Sequence, residues 1–238
     1  MPSARTVLIY ALLLGPMTVG VHPATAQSYL PLAVGNHWEY ATTDGRHETQ
    51  RISGTKSLNG HTVYVKLYEA SSENEGLENY WTEDADGRLL LHGFWLGLSG
   101  WGILYEPPLV LADAPLSPGK TWTCSMNPYR LPEMEPLEPW IGHFEVVESG
   151  EVETPAGTFF AYGVSNMQLV GMLAERRVTA DGRVVRPDGT VATASVQATD
   201  WYSPGLGEVR YYDYYLTGYG FPTPALASSW GRLKSLYR

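Results

Sequence analysis

The spacing of turn signals constrains this chain more than any other feature of its sequence. Five Asx-Gly pairs, Asp44-Gly45, Asn59-Gly60, Asp86-Gly87, Asp181-Gly182 and Asp188-Gly189, punctuate runs rich in Tyr, Trp, Val and Thr. Such a pair accepts the positive φ values of a tight two-residue turn, so each reads as a reversal between antiparallel strands. Pro204-Gly205 adds another reversal, with proline presetting the first φ of a type II turn and glycine taking the positive second one. The stretch from Asp200 to Leu216 around it carries aromatic strand formers on both sides. The expected fold is all-β, a curved antiparallel sheet or open barrel, with a two-sheet β-sandwich as the alternative.

Alternation supplies the faces. In the run from His61 to Glu69, Val63, Val65 and Leu67 share one face and Tyr64, Lys66 and Tyr68 the other. The aliphatic face is expected to point into the core, and Trp38 is expected as a core anchor. The segment from Phe94 to Tyr105 carries Gly97, Gly100 and Gly102 and reads either as a buried irregular strand or as a wide loop over the core. Asn127 to Pro139 holds four prolines and reads as a stiff exposed loop. Residues 166–174 are the one stretch with a helical alternative, and their Val170, Gly171 and flanking strands favour a strand.

Composition closes off several function classes. With 25 Gly and 17 Pro among 238 residues and 44% hydrophobic residues, the chain is dense in turns yet able to build a core. A net charge of −9 without a basic stripe argues against nucleic acid and anionic membrane surfaces as partners. Arg5, the apolar run Val7 to Leu14 and Ala24-Thr25-Ala26 form a signal-peptide pattern with cleavage after Ala26. That run is too short to span a bilayer, so no transmembrane segment is expected. Cys124 is the single cysteine, which excludes an internal disulfide and a lipidated cysteine at the cleavage site. The expected organisation is a signal peptide over 1–26, one β domain over 27–220 and a tail over 221–238, in an exported periplasmic or extracellular protein without a lipid anchor.

An internal echo accompanies this plan. Pro115-Leu-Ser-Pro-Gly-Lys-Thr-Trp122 repeats the frame of Pro31-Leu-Ala-Val-Gly-Asn-His-Trp38. Each is followed by a glycine turn, Asn59-Gly60 or Ala156-Gly157, and then by an aromatic pair, Tyr80-Trp81 or Trp201-Tyr202. Two related halves, 29–112 and 113–220, account for the echo, and so does coincidence between two turn frames. Together with Thr154-Pro-Ala-Gly-Thr-Phe159 and Trp201-Tyr-Ser-Pro-Gly-Leu-Gly207, these motifs resemble a loose group of secreted bacterial β-sheet proteins of unknown function, from Tyr29 to about Tyr215. The resemblance implies a curved antiparallel sheet or open barrel and brings no catalytic motif.

Catalytic patterns are weak. Ser53-Gly-Thr-Lys56 and Ser117-Pro-Gly-Lys120 match S-x-x-K, but their Gly and Pro-Gly oppose the helix that would set serine beside lysine. The histidines lack metal-ligand spacing, and Asp84-Ala-Asp-Gly87 reads as a hairpin turn rather than a calcium loop. Glu133, Glu135 and Glu138 read as solvated charges, and Cys124 as a buried inert thiol. No catalytic residue, metal or cofactor is expected. The aromatic surplus, 16 Tyr and 8 Trp, points instead to a non-enzymatic domain binding an apolar, glycan or envelope-component ligand. Its expected contacts are Tyr64, Tyr68, Trp95, Trp101, Arg210, Tyr212 and Tyr214. A hydrolase with a dispersed carboxylate site is the alternative, distinguished by a pair of inward carboxylates.

Overall fold

The computed structural model describes residues 28–69, 74–168, 177–178, 184–185, 191–192 and 197–222. The first six strands are β1 (His37–Thr42), β2 (His47–Leu58), β3 (His61–Glu69), β4 (Leu77–Glu83), β5 (Leu89–Leu96) and β6 (Trp101–Ala112). The chain continues with β7 (Thr121–Leu131), β8 (Glu135–Pro136), β9 (Trp140–Thr154) and β10 (Gly157–Gln168). Three two-residue strands follow, β11 (Arg177–Val178), β12 (Val184–Val185) and β13 (Val191–Ala192), which pair only with one another. The last strands are β14 (Gln197–Ser203), β15 (Gly207–Tyr211) and β16 (Tyr214–Gly220). No helix occurs among the described residues, so none is long and apolar enough to cross a membrane.

Two antiparallel meanders, β1 to β6 and β7-β9-β10-β14-β15-β16, are joined at both edges, β1 to β16 and β6 to β7. The result is a closed barrel of twelve strands, with β8 as a thirteenth strand added to β7. Closure leaves no sheet edge unpaired around the ring, and a continuous ring replaces the two-sheet sandwich. The turn chemistry read from sequence is present: Gly45, Gly60 and Gly87 have φ of 89°, 81° and 79°. At the Pro-Gly turn the Leu206 N–H donates to Ser203 O at 3.1 Å and Gly205 has φ 74°. The Asp84 carboxylate accepts the backbone N–H groups of Asp86 and Arg88, each at 3.0 Å, which makes that turn a self-capped hairpin. Asp181-Gly182 and Asp188-Gly189 lie outside the described residues.

One expectation about an irregular segment is corrected, and another is decided between its two alternatives. The proline stretch from Asn127 is not a free loop: β7 runs through Pro128, and the chain returns as β8 with the Leu137 N–H donating to Pro128 O at 2.8 Å. Pro107 and Pro108 likewise sit within β6, in a wide bulge between the pairs Gly93/Leu104 and Leu91/Leu109 where β5 asks for no N–H. For Phe94 to Tyr105 the strand alternative holds: the segment is the β5–β6 hairpin, not a wide loop over the core. Gly93 and Gly102 permit strand contact, since a Cβ there would stand 2.1 Å from Ile103 O or 2.2 Å from Phe94 O.

A ring of twelve strands is wider than the roughly eight that side chains just fill. Here Trp38, Tyr29, Tyr40 and Tyr202 are the largest fully buried side chains. Their polar tips are satisfied across the interior: Trp38 Nε1–H donates to Leu206 O at 2.7 Å and the Tyr40 hydroxyl to Glu208 O at 2.9 Å. This accounts for the excess of Tyr and Trp over Phe. One end is plugged by the segment preceding β1. Ser28 Oγ reaches Glu83 at 2.6 Å and Ser28 O accepts Gly205 N–H at 2.8 Å, while the Tyr29 hydroxyl accepts Leu116 N–H at 3.0 Å. These anchors belong to well-separated parts of the wall.

The alternation expected in β3 is present, but its two faces are reversed. Lys66 and Tyr68 are buried in the lumen with Tyr64 packed beside them, whereas Val63 and Val65 form a small outer cluster with Tyr80, Leu58 and Trp95. The β2–β3 hairpin folds over that cluster and its tip, Asn59, hydrogen-bonds Glu106 of β6. An outer apolar face is thus buried by a hairpin, which frees the lumen for polar residues.

The meanders share their internal registers. Trp38 pairs with Gln50 and Ile52 with Lys66 in the first; Trp122 pairs with Phe144 and Val146 with Val164 in the second. Each second strand then bulges at the next residue, Ser53 or Val147. Each aromatic pair faces a bulge in the following strand, at His92 opposite Tyr80-Trp81 and at Val209 opposite Trp201-Tyr202. The entry turns match too: Gly35 N–H donates to Ile52 O and Gly119 N–H to Val146 O, both at 2.8 Å. Trp38 is buried and Trp122 half-buried. The correspondence ends where the meanders meet, since Thr42 faces Tyr214 but Ile103 faces Arg130.

Candidate functional site

The polar residues inside the barrel lie on one side. Lys66, 1% exposed, reaches across the lumen from β3 to Glu208 of β15, Nζ to Oε2 at 3.1 Å. The strands between them, β2, β1 and β16, form the wall that this pair spans. Tyr202 OH lies 3.3 Å from Glu208 Oε1. On β2, Glu48 and Gln50 are each 1% exposed; Gln50 Nε2 donates to Glu48 Oε1 at 2.6 Å and to Tyr211 OH at 3.1 Å. Tyr211 OH also donates to Glu48, and Asn74 Nδ2 donates to Glu48 Oε2 at 3.0 Å.

A bulge makes the constellation possible. Glu208 and Tyr211 stand three residues apart in β15, so in a regular strand they would face opposite sides. The extra residue Val209 changes the register between Tyr202/Glu208 and Trp201/Arg210, and both side chains then face the lumen.

Electrostatics divide the carboxyls. Asp200, two residues before Tyr202 on β14, has a buried Oδ1, and its pKa is pushed up to about 8. Desolvation is the main cause and the charge of Glu208 the second, partly offset by Lys66. Burial, followed by the charge on Glu208, likewise lifts Tyr40, Tyr68 and Tyr202 well above the ordinary tyrosine value. These hydroxyls remain donors at neutral pH. Two lumenal polar atoms are buried without a hydrogen-bond partner, Gln50 Oε1 and Trp81 Nε1. Among the described residues no group of three or more His, Cys, Asp or Glu is arranged to hold a metal ion.

The residues expected at a ligand face are divided by the barrel wall. Tyr64, Tyr68 and Tyr214 are on the lumenal side; the Tyr68 hydroxyl accepts from Asn79 at 3.1 Å, and Tyr214 stacks on Tyr211 at 5.1 Å. Trp101 packs edge-on to Phe94 at 5.8 Å. Arg210 lies over the Tyr215 ring at 5.0 Å on the outside, Trp95 belongs to the outer cluster, and Tyr212 is an exposed turn residue with φ 48°. The seven therefore do not form one surface. Sequence reasoning missed Lys66, Glu48, Gln50, Asp200 and Glu208. A signal was present in Lys66, the one charge within the alternating run from Thr62 to Tyr68.

No protein-family model matches the chain, and no curated protein matches it in sequence. Two solved structures are similar. One is a protein of Bacteroides fragilis, provisionally described as exported and with a YmcC-like fold, at 16% identity and a TM-score of 0.44, covering 82% of this chain and 100% of that one. The other is a protein of Parabacteroides distasonis, provisionally described as a lipoprotein, at 14% identity and a TM-score of 0.39, covering 82% of this chain and 99% of that one.

Proposed function

We propose that the chain is an exported, non-enzymatic β-barrel built from two copies of a six-stranded unit, in which one side of the lumen binds a small polar ligand. The one-sided polarity of corresponding positions carries this reading. By the shared registers, Lys66 corresponds to Val164, Glu208 to Leu91, Gln50 to Phe144 and Glu48 to Gly142. The same backbone places are filled without charge in the other copy, so barrel construction does not demand a buried ion pair there. Charge at one of two matching places, beside two buried polar atoms lacking partners, supports a ligand site.

The test copies the uncharged side onto the charged one. A buried ion pair replaced by apolar residues is commonly neutral or stabilising by about 1–4 kcal/mol. The variant Lys66→Val/Glu208→Leu is therefore expected to fold with an unchanged or higher Tm and to lose every ligand-induced thermal shift seen in the parent chain. A variant that no longer folds would make the pair structural and remove the reading.

One observation favours the hydrolase alternative: Asp200 and Glu208 are inward carboxyls on adjacent strands in unlike environments, one raised to about 8 and the other in an ion pair. Turnover of chromogenic glycosides, abolished by Asp200→Asn, would support it. No turnover by the parent chain removes it.

A further inference from the structure

We infer that the guest of the charged lumen is a small organic cation that also carries a hydroxyl group, the chemistry of an amino sugar or amino alcohol. The inference rests on the binding reading above and names its ligand class. Of the three carboxyls at this lumen, Asp200 keeps its proton below about pH 8, which leaves Glu48 and Glu208 against Lys66, the one buried Lys or Arg among the described residues. The local balance invites a second positive charge.

The wall already holds an ammonium in the manner such a guest requires. Lys66 Nζ lies 5.1 Å from the Trp81 ring centroid and 5.5 Å from that of Tyr68, within the range where a ring face attracts a cation. The two polar atoms without partners then specify the rest of the molecule. Gln50 Oε1 is an acceptor, and its orientation is fixed because Nε2 is engaged by Glu48 and Tyr211; exchanging the two amide atoms would set oxygen against a carboxylate. It is suited to an ammonium N–H. Trp81 Nε1–H is a donor only, so it needs an acceptor on the guest, which a hydroxyl oxygen supplies. A hydrocarbon guest would leave both buried atoms unsatisfied, which costs on the order of 1–3 kcal/mol for each. Glu208 keeps 14% of its side chain exposed and Asp200 is half-buried, so this polar cluster is the part of the lumen in contact with solvent.

Calorimetric titration of the mature chain with D-glucosamine, ethanolamine, D-glucose and tetramethylammonium separates the possibilities. D-glucosamine or ethanolamine is expected to bind, with D-glucose weaker by about tenfold for want of a charge-assisted bond. Trp81→Phe keeps an aromatic face, a smaller and weaker one for a cation, and removes the N–H. It should weaken the amino alcohol by roughly fivefold more than it weakens tetramethylammonium, which has no acceptor for that N–H. Gln50→Met provides an independent variant with the same expected loss, and the comparison of D-glucosamine with D-glucose in the parent chain decides the matter if neither variant folds. D-glucose binding as tightly as D-glucosamine would overturn the cationic guest while the lumenal reading stands. Failure of all four probes to bind overturns both.

Discussion

Asp200 shows how one residue ties stability to pH. Its folded-state pKa of about 8 lies far above the ordinary carboxyl value near 4, so between those limits the folded chain keeps a proton that the unfolded chain has released. This contribution is complete at low pH and is lost as pH rises towards 8. His92 acts in the opposite sense: burial and the neighbouring His61 depress its pKa from 6.5 to about 4, so its contribution is lost as pH falls through that interval. Below about pH 6.5 the two slopes oppose each other, and above it only that of Asp200 remains. Chemical denaturation at pH 6.5 and pH 8 should show the parent chain less stable at the higher pH, with Asp200→Asn flattening the difference. An equal drop in the variant would assign the slope to other groups.

Strands and turns were legible because their causes are local. Asn59-Gly60, Asp86-Gly87 and Pro204-Gly205 dictate reversals whatever surrounds them, and all three occur where expected. The inward face of β3 was not legible in this way. A lysine between two tyrosines reads as solvent-facing because lone charges are rarely buried, and the partner that permits its burial, Glu208, lies 142 residues further along the chain. Pro128 misled for the converse reason: a proline excludes a strand only where a partner needs its N–H, and here its carbonyl is what the chain uses. Bulges, which set which side chains meet, leave little trace in sequence. Deleting Val209 tests their importance at the site. A regular β15 would turn either Glu208 or Tyr211 out of the lumen, with an expected loss of about 2–5 kcal/mol, comparable to a large core truncation. An unchanged unfolding midpoint would show that the bulge does not place these side chains.

At the scale of the whole molecule, the segment that stoppers the barrel begins beside the proposed cleavage point. Ser28 is held by Glu83 and Gly205, one residue beyond Gln27, the first residue expected after processing. Intact-mass measurement of secreted material should give a chain beginning at Gln27 with no acyl addition. A chain retaining Met1, or one carrying lipid mass, would contradict export by this route. The joining of β1 to β16 has a kinetic consequence. Thr42 and Tyr214 are neighbours in the ring, so the first strand waits with an open edge until nearly the whole chain has been delivered. Contacts so remote in sequence slow the folding search, because a long loop must close before they are rewarded. The open edge of the first strand, whose other edge pairs with β2, is then exposed to other chains for longer than that of any later strand, and the time between emergence of β1 and arrival of β16 becomes the period in which this protein is most open to aggregation.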